Sequence, residues 1–185
     1  MEWKQRGCVY FVRHGQSLWN VENKICGSTD VPLTDKGRGQ AAETGKKIME
    51  QGIKVDEILY SPLSRAAETA QIISQATGIP AREEPKLTEQ NFGRWESTSP
   101  RSNEEFRQAK MQCAGGFGGG ESMLRLAQRI YNLLDEIRLQ SEERTYLLVA
   151  HNGIARIVQS YFKEMTNEEF ADYGVRNCEI RRFEF

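Results

Sequence analysis

The sequence predicts an α/β fold, a three-layer sandwich with a mostly parallel central sheet and helices on both faces. Two observations carry this. Short β-rich runs alternate with longer helical patterns along the chain, and the runs at 9–12, 57–60 and 146–149 are continuous rather than alternating, as expected of strands covered on both faces. Each run also leads through a turn into a helical pattern, so strand, turn and helix recur three times.

In chain order, residues 34–50 place Ala41, Ala42, Gly45, Ile48 and Met49 on one helical face, the stripe of a helix lying on a core. Ser61 and Pro62 supply an N-cap and a first-turn proline for a helix that runs to about residue 76, where Gly78-Ile79-Pro80 ends it. The glycine-rich stretch 115–120 neither fits G-x-G-x-x-G nor carries the Lys-Ser/Thr of a P-loop, and is expected to be a flexible loop or lid. Leu124, Ala127, Ile130, Leu134 and Ile137 form a second core stripe, and 176–185 predicts a terminal strand.

The composition is that of one soluble domain spanning 1–185, with 185 residues, 38% hydrophobic and 28% charged. Twenty-five Lys+Arg against 26 Asp+Glu give a formal charge of -1, so no basic field points to nucleic acid or an acidic membrane, and any anion site must be local. No apolar stretch approaches the roughly 20 residues of a membrane helix, and the polar N-terminus lacks a signal-like apolar region, so a cytoplasmic location is expected. Cys8, Cys26, Cys113 and Cys178 are scattered with no C-x-x-C pair, so they are expected as free thiols, with no metal site.

The chain has two histidines, His14 and His151, and both directly follow expected strands. In a parallel sheet that places them at one edge, where ligands gather. Arg13 precedes His14, and Gly15 after it is expected to let the backbone approach a ligand closely. Arg65, one turn into the Ser61 helix, projects from a third strand end. Two arginines and two histidines on one edge suit a doubly charged phosphate; either arginine alone would read as a surface ion pair.

The segment Phe11-Val12-Arg13-His14-Gly15-Gln16-Ser17 resembles the signature of the histidine phosphatase superfamily, the phosphoglycerate-mutase-like fold. The likeness continues through Pro32-Leu33-Thr34-Asp35-Lys36-Gly37, Ser61-Pro62-Leu63-Ser64-Arg65-Ala66 with Thr69, the segment from Leu87 to Glu96, Gly119-Gly120-Glu121-Ser122, and Val149-Ala150-His151. The resemblance implies that His14 is a nucleophile forming a phosphohistidine, that Arg13, Arg65 and His151 stabilise the transferring phosphoryl group, and that Glu89 is the proton donor. It also implies that Asn20 and Gly27 touch the phosphate, and that no metal or cofactor is needed. Taken by itself, Glu89 reads as an exposed glutamate and Asn20 as a turn residue.

The sequence departs from the family pattern at Asn152, where a glycine commonly follows the second histidine, at Cys26, where a threonine often precedes the loop glycine, and at Ser97. Asn152 thereby joins the candidate substrate contacts. Residues 94–119 are expected to form a lid or substrate loop, and Phe92, Trp95, Phe106 and Phe117 either line a pocket or make a satellite core.

The expected activity is metal-independent hydrolysis of a small phosphomonoester by a monomer or homodimer. The alternatives are a cofactor-dependent phosphoglycerate mutase and a non-catalytic phosphate-binding scaffold. Only about thirty residues separate Glu89 from Glu121 and the sequence ends at a strand, whereas family mutases carry an insertion and a tail there, which favours hydrolysis.

Overall fold

A computed structural model describes residues 7–99 and 104–185; the polar start at 1–6 and residues 100–103 of the expected lid lie outside them. Five strands, β1 (Cys8–Arg13), β2 (Glu57–Tyr60), β3 (Ala81–Glu83), β4 (Tyr146–Ala150) and β5 (Ile180–Glu184), form one sheet in the order β3-β2-β4-β1-β5. All pairings are parallel except β1 with β5. Arg181, Arg182 and Glu184 put charge on the β5 edge, which discourages further strand addition.

The strands alternate their side chains between two cores. Val9, Phe11, Leu59 and Leu148 pack under α5 (Met123–Gln140) and α6 (Asn152–Phe162), while Val12, Ile58, Leu147 and Val149 pack against α2 (Asp35–Glu50) and α3 (Ser64–Thr77). This is the expected three-layer sandwich. Shorter helices are α1 (Leu18–Val21), α4 (Glu104–Ala109) and α7 (Asn167–Asp172). Thr34 caps α2 by accepting from Gly37 N at 3.1 Å, and Ser122 caps α5 by accepting from Arg125 N at 3.3 Å.

Several details differ from the sequence expectation. Ala41, Gly45 and Ile48 are buried in α2, but Ala42 and Met49 are exposed, because the contact with α3 is narrower than the five-residue stripe. In α5 the buried face runs through Met123, Leu126, Ile130, Leu133, Leu134 and Ile137, and Leu124 faces solvent. Helix α3 starts at Ser64, and its first turn is capped by Asp30, whose Oδ1 accepts from Ser64 N and Oγ, both at 2.8 Å, so Ser61 is not its N-cap. β3 was not expected: three residues are too few to show a period. The terminal strand begins at Ile180 rather than Arg176.

Register places the site. Arg13 lies opposite Ala150, and Tyr60 opposite Val149, so β1, β4 and β2 end level. The ladder continues one step, with His14 N donating to Ala150 O at 2.9 Å and Ser61 N donating to Val149 O at 3.1 Å. His14, Ser61 and His151 therefore leave the sheet side by side.

Candidate active site

At these strand ends the rings of His14 and His151 lie 5.1 Å apart, tilted by 58°. Both side chains are buried. The Nδ1 of His14 is 2.7 Å from Gly15 O; a carbonyl only accepts, so Nδ1 carries the proton and Nε2 keeps its lone pair. Burial, then the charges of Arg65 and Arg13, hold the His14 ring neutral, well below the usual histidine range. His151 is held low by burial and by Arg65, His14, Arg13 and Arg129.

The two arginines are fixed through part of their guanidinium groups. Arg13 donates from Nη1 to Val175 O at 2.8 Å. Arg65, fully buried in the first turn of α3, donates from Nη1 to Thr29 O at 2.9 Å and from Nη2 to Gly27 O at 2.7 Å. Their Nε atoms, together with His151 Nδ1, are buried side-chain atoms without a hydrogen-bond partner among the described residues. Unpartnered buried polar atoms are costly, and these three belong to the groups that neighbour His14, an arrangement that suits an anion.

Thr69 ties the two halves together, accepting from Gly15 N at 3.0 Å and donating to Arg65 O at 2.6 Å. Gly15 is also needed for packing: a Cβ there would stand 2.4 Å from Gly37 O, at the start of α2.

Glu89 is buried, not exposed. Its Oε1 accepts from Gln90 N and its Oε2 from Gly153 N, each at 2.9 Å, so the carboxyl group sits on the first turn of α6 directly after His151. Burial raises its pKa above the ordinary carboxylate value, against the pull of these two N–H bonds and of Arg65 and Arg156.

The Oδ1 of Asn20 accepts from Ser17 N at 3.1 Å and from Asn177 Nδ2 at 3.2 Å, which leaves the Asn20 Nδ2 as the free donor. Asn152 takes Val175 N on its Oδ1 at 2.9 Å. Arg13, His14, Asn20, Lys24, Glu89 and Asn152 line a cleft of ≈ 160 Å³. Ile25, Cys26, Phe92 and Phe106 line it as well. Of the four aromatic residues singled out in the sequence, Phe92, Trp95 and Phe106 form a small buried cluster with Ile25, and two of them also face the cleft; the Phe117 side chain lies outside the described residues. Burial pushes the Cys26 thiol up to about 11, so it is neither charged nor nucleophilic at neutral pH.

The structure thus gathers His14, His151, Arg13, Arg65, Glu89, Asn20 and Asn152, and sets Gly27 on the loop that holds Arg65. Sequence reasoning missed Ser61 as the partner of His151 (Oγ to Nε2, 2.7 Å), Asn177, which also donates to His14 O at 2.8 Å, and the Val175 backbone. The first was visible as a serine closing a strand; the other two sit in a segment without any motif. Among the described residues no group of three His, Cys, Asp or Glu side chains could hold a metal ion, and no helix is long and apolar enough to cross a membrane.

The model of the histidine phosphatase superfamily (branch 1) matches residues 9–185. A protein of Erwinia tasmaniensis described as "Probable phosphoglycerate mutase GpmB" is 33% identical over 180 residues, which cover 94% of this chain and 83% of that one. Its counterpart in Escherichia fergusonii, under the same description, is 34% identical over 183 residues, covering 96% and 84%. Among solved structures, a mycobacterial glucosyl-3-phosphoglycerate phosphatase in complex with VO3 superposes with a TM-score of 0.83 over 95% of this chain and 90% of its own, at 23% identity, which speaks to the fold alone. TTHB049 from Thermus thermophilus superposes with a TM-score of 0.75 over 95% and 92%, at 26% identity.

Proposed function

Because the chain belongs to the histidine phosphatase superfamily, branch 1, we propose that it hydrolyses small phosphomonoesters through a phosphohistidine on His14, without a metal. The observation that carries this reading is the His14 ring, neutral, with Nδ1–H tied to Gly15 O and the other nitrogen available for in-line attack.

In the first step Nε2 of His14 forms a bond to phosphorus as the bond to the leaving oxygen breaks. Arg13 Nε, Arg65 Nε, His151 Nδ1 and Asn20 Nδ2 supply hydrogen bonds to the equatorial oxygens, where charge develops. Glu89, whose pKa burial raises, gives its proton to the leaving alcohol. In the second step the Glu89 carboxylate takes a proton from water, whose oxygen attacks phosphorus, releasing inorganic phosphate and the neutral imidazole.

The test is hydrolysis of p-nitrophenyl phosphate in excess EDTA by the wild type and His14→Ala. Activity that survives EDTA and falls by about a thousandfold or more in the variant supports the reading. Activity that persists in His14→Ala removes it.

A second reading, phosphoglycerate mutase, is favoured by the description carried by relatives 33–34% identical to this chain. It shares the first step and differs in the acceptor. Supplied with 3-phosphoglycerate, a hydrolase accumulates inorganic phosphate, whereas a mutase accumulates 2-phosphoglycerate. A scaffold would do neither and would leave His14 unphosphorylated.

A further inference from the structure

Glu96 stands at the foot of the expected lid, and neither the family motif as read above nor the mechanism gives it a role. Its carboxylate gathers five donors. Oε1 accepts from Ser28 N (2.9 Å), Ser28 Oγ (3.2 Å) and Phe92 N (3.1 Å), and Oε2 accepts from Thr29 N (2.8 Å) and from the Thr29 hydroxyl. Burial alone would raise its pKa, but these bonds outweigh burial and hold it below the usual carboxylate value, so it is ionised at neutral pH.

The loop it grips is the one that grips Arg65. Gly27 O and Thr29 O, on either side of Ser28, accept the two Nη groups of Arg65. Gly27 leaves no slack in this arrangement: a Cβ there would lie 2.4 Å from Glu96 Oε1 and 2.5 Å from Gln90 O. Directly beyond, Asp30 caps α3, the helix that carries Arg65. Phe92, whose amide Glu96 also holds, lines the same cleft.

We propose that Glu96 is a positioning residue for phosphate binding: through Ser28 and Thr29 it fixes the two carbonyls that hold both Nη groups of Arg65, and through Phe92 it sets part of the cleft lining against that clamp. The proposal rests on the reading of the cleft as a phosphate site, and binding of inorganic phosphate tests it without requiring turnover.

Glu96→Gln keeps the shape but replaces one acceptor oxygen by an amide NH2, which must face N–H and O–H donors on one side. In titration calorimetry its affinity for inorganic phosphate should fall about tenfold, the scale of one hydrogen bond to a charged group. With p-nitrophenyl phosphate its KM should rise and its kcat fall, since Arg65 would touch both ground and transition states. Arg65→Lys removes the fork, so Glu96→Gln should add less than twofold in that background, a non-additivity that a purely structural contact would not give. Should Glu96→Gln fold poorly, Thr29→Ala, at an exposed position, should still weaken phosphate about threefold by removing one of the five donors.

Unchanged phosphate affinity in the folded variants, or independent losses in the double variant, would overturn the role of Glu96 while leaving His14-dependent hydrolysis intact. Phosphate binding without His14-dependent hydrolysis would overturn the proposed activity and leave Glu96 to be judged on binding alone. A wild type that binds no phosphate overturns both.

Discussion

His151 and Ser61, which close the neighbouring strands β4 and β2, meet through a 2.7 Å contact between Nε2 and Oγ. Ser61 Oγ also receives Leu63 N–H at 3.4 Å, so its own proton is free to go to the ring. In the tautomer that takes the Ser61 proton, Nε2 is the acceptor and the proton of the neutral imidazole sits on Nδ1, the atom with no partner among the described residues. The serine thereby makes the second histidine a hydrogen-bond donor without charging it.

Ser61→Ala should therefore release the tautomer. Loss of a donor to the phosphoryl oxygens is expected to lower kcat/KM by about tenfold. Nitrogen NMR of the His151 ring checks the cause directly: the wild type should show Nδ1 protonated and the variant a mixture. A variant that keeps both the tautomer and the rate would remove this role.

The position of Glu89 gives a leaving-group signature. Its burial raises the pKa, so the protonated, donating form survives to a higher pH than an ordinary carboxylic acid allows. As pH rises through that value the acid is lost, and turnover of alkyl phosphates should fall while turnover of nitrophenyl phosphate, whose leaving group needs little protonation, holds. Glu89→Gln should slow phosphorylation of His14 by the alkyl ester about a hundredfold or more and flatten its pH profile, with phosphorylation by the aryl ester, read as the nitrophenolate burst, much less affected. Equal slowing of both would contradict the assignment.

Gly153 tests the same group sterically. A Cβ there would lie 2.4 Å from Glu89 Oε1 and 3.0 Å from its Cδ, and the Gly153 amide is one of the two bonds that hold the carboxyl group. The clash falls on a side-chain end, so Gly153→Ala should displace Glu89 more than it disturbs α6. The expected result is alkyl-phosphatase activity reduced nearly as far as in Glu89→Gln, with stability lowered by only about 1–2 kcal/mol, read from urea unfolding. Retained alkyl activity would show that Glu89 can donate from elsewhere.

How much of this was legible in the sequence follows from the range of each interaction. His14, His151 and Arg65 could be placed because each directly follows a strand or opens a helix, and parallel strands put such residues on one edge. Glu89 could be named only through the family resemblance, since its burial depends on the first turn of α6, sixty residues away. Ser61 was misplaced for an instructive reason: Ser-Pro before a helix is a capping pattern, but the capping fell to Asp30, and the serine was left for His151. Asn177 was invisible, because its contacts with His14 and Asn20 span more than 150 residues and carry no local pattern.

The two buried rings also set how stability responds to acid. In the folded chain His14 and His151 stay neutral well below the usual histidine pKa, chiefly through burial, whereas the unfolded chain takes up a proton on each near 6.5. Where the unfolded state binds more protons, stability rises with pH, so their contribution is complete above about pH 6.5 and is lost as pH falls below it. Glu89 acts in the opposite sense, because the folded state keeps its proton where the unfolded state has lost it, and this costs stability as pH rises above its ordinary value of 4.5. Between pH 6.5 and 5 two rings outweigh one carboxyl group, and each ring adds up to about 1.4 kcal/mol per pH unit. Urea unfolding at pH 7.5, 6.0 and 5.0 should thus show stability falling on acidification, and His14→Asn or His151→Asn should each remove about half of the histidine part of that slope. A slope unchanged in both variants would mean that the rings are not held neutral in the fold, and with them would go the neutral nucleophile on which the proposed chemistry depends.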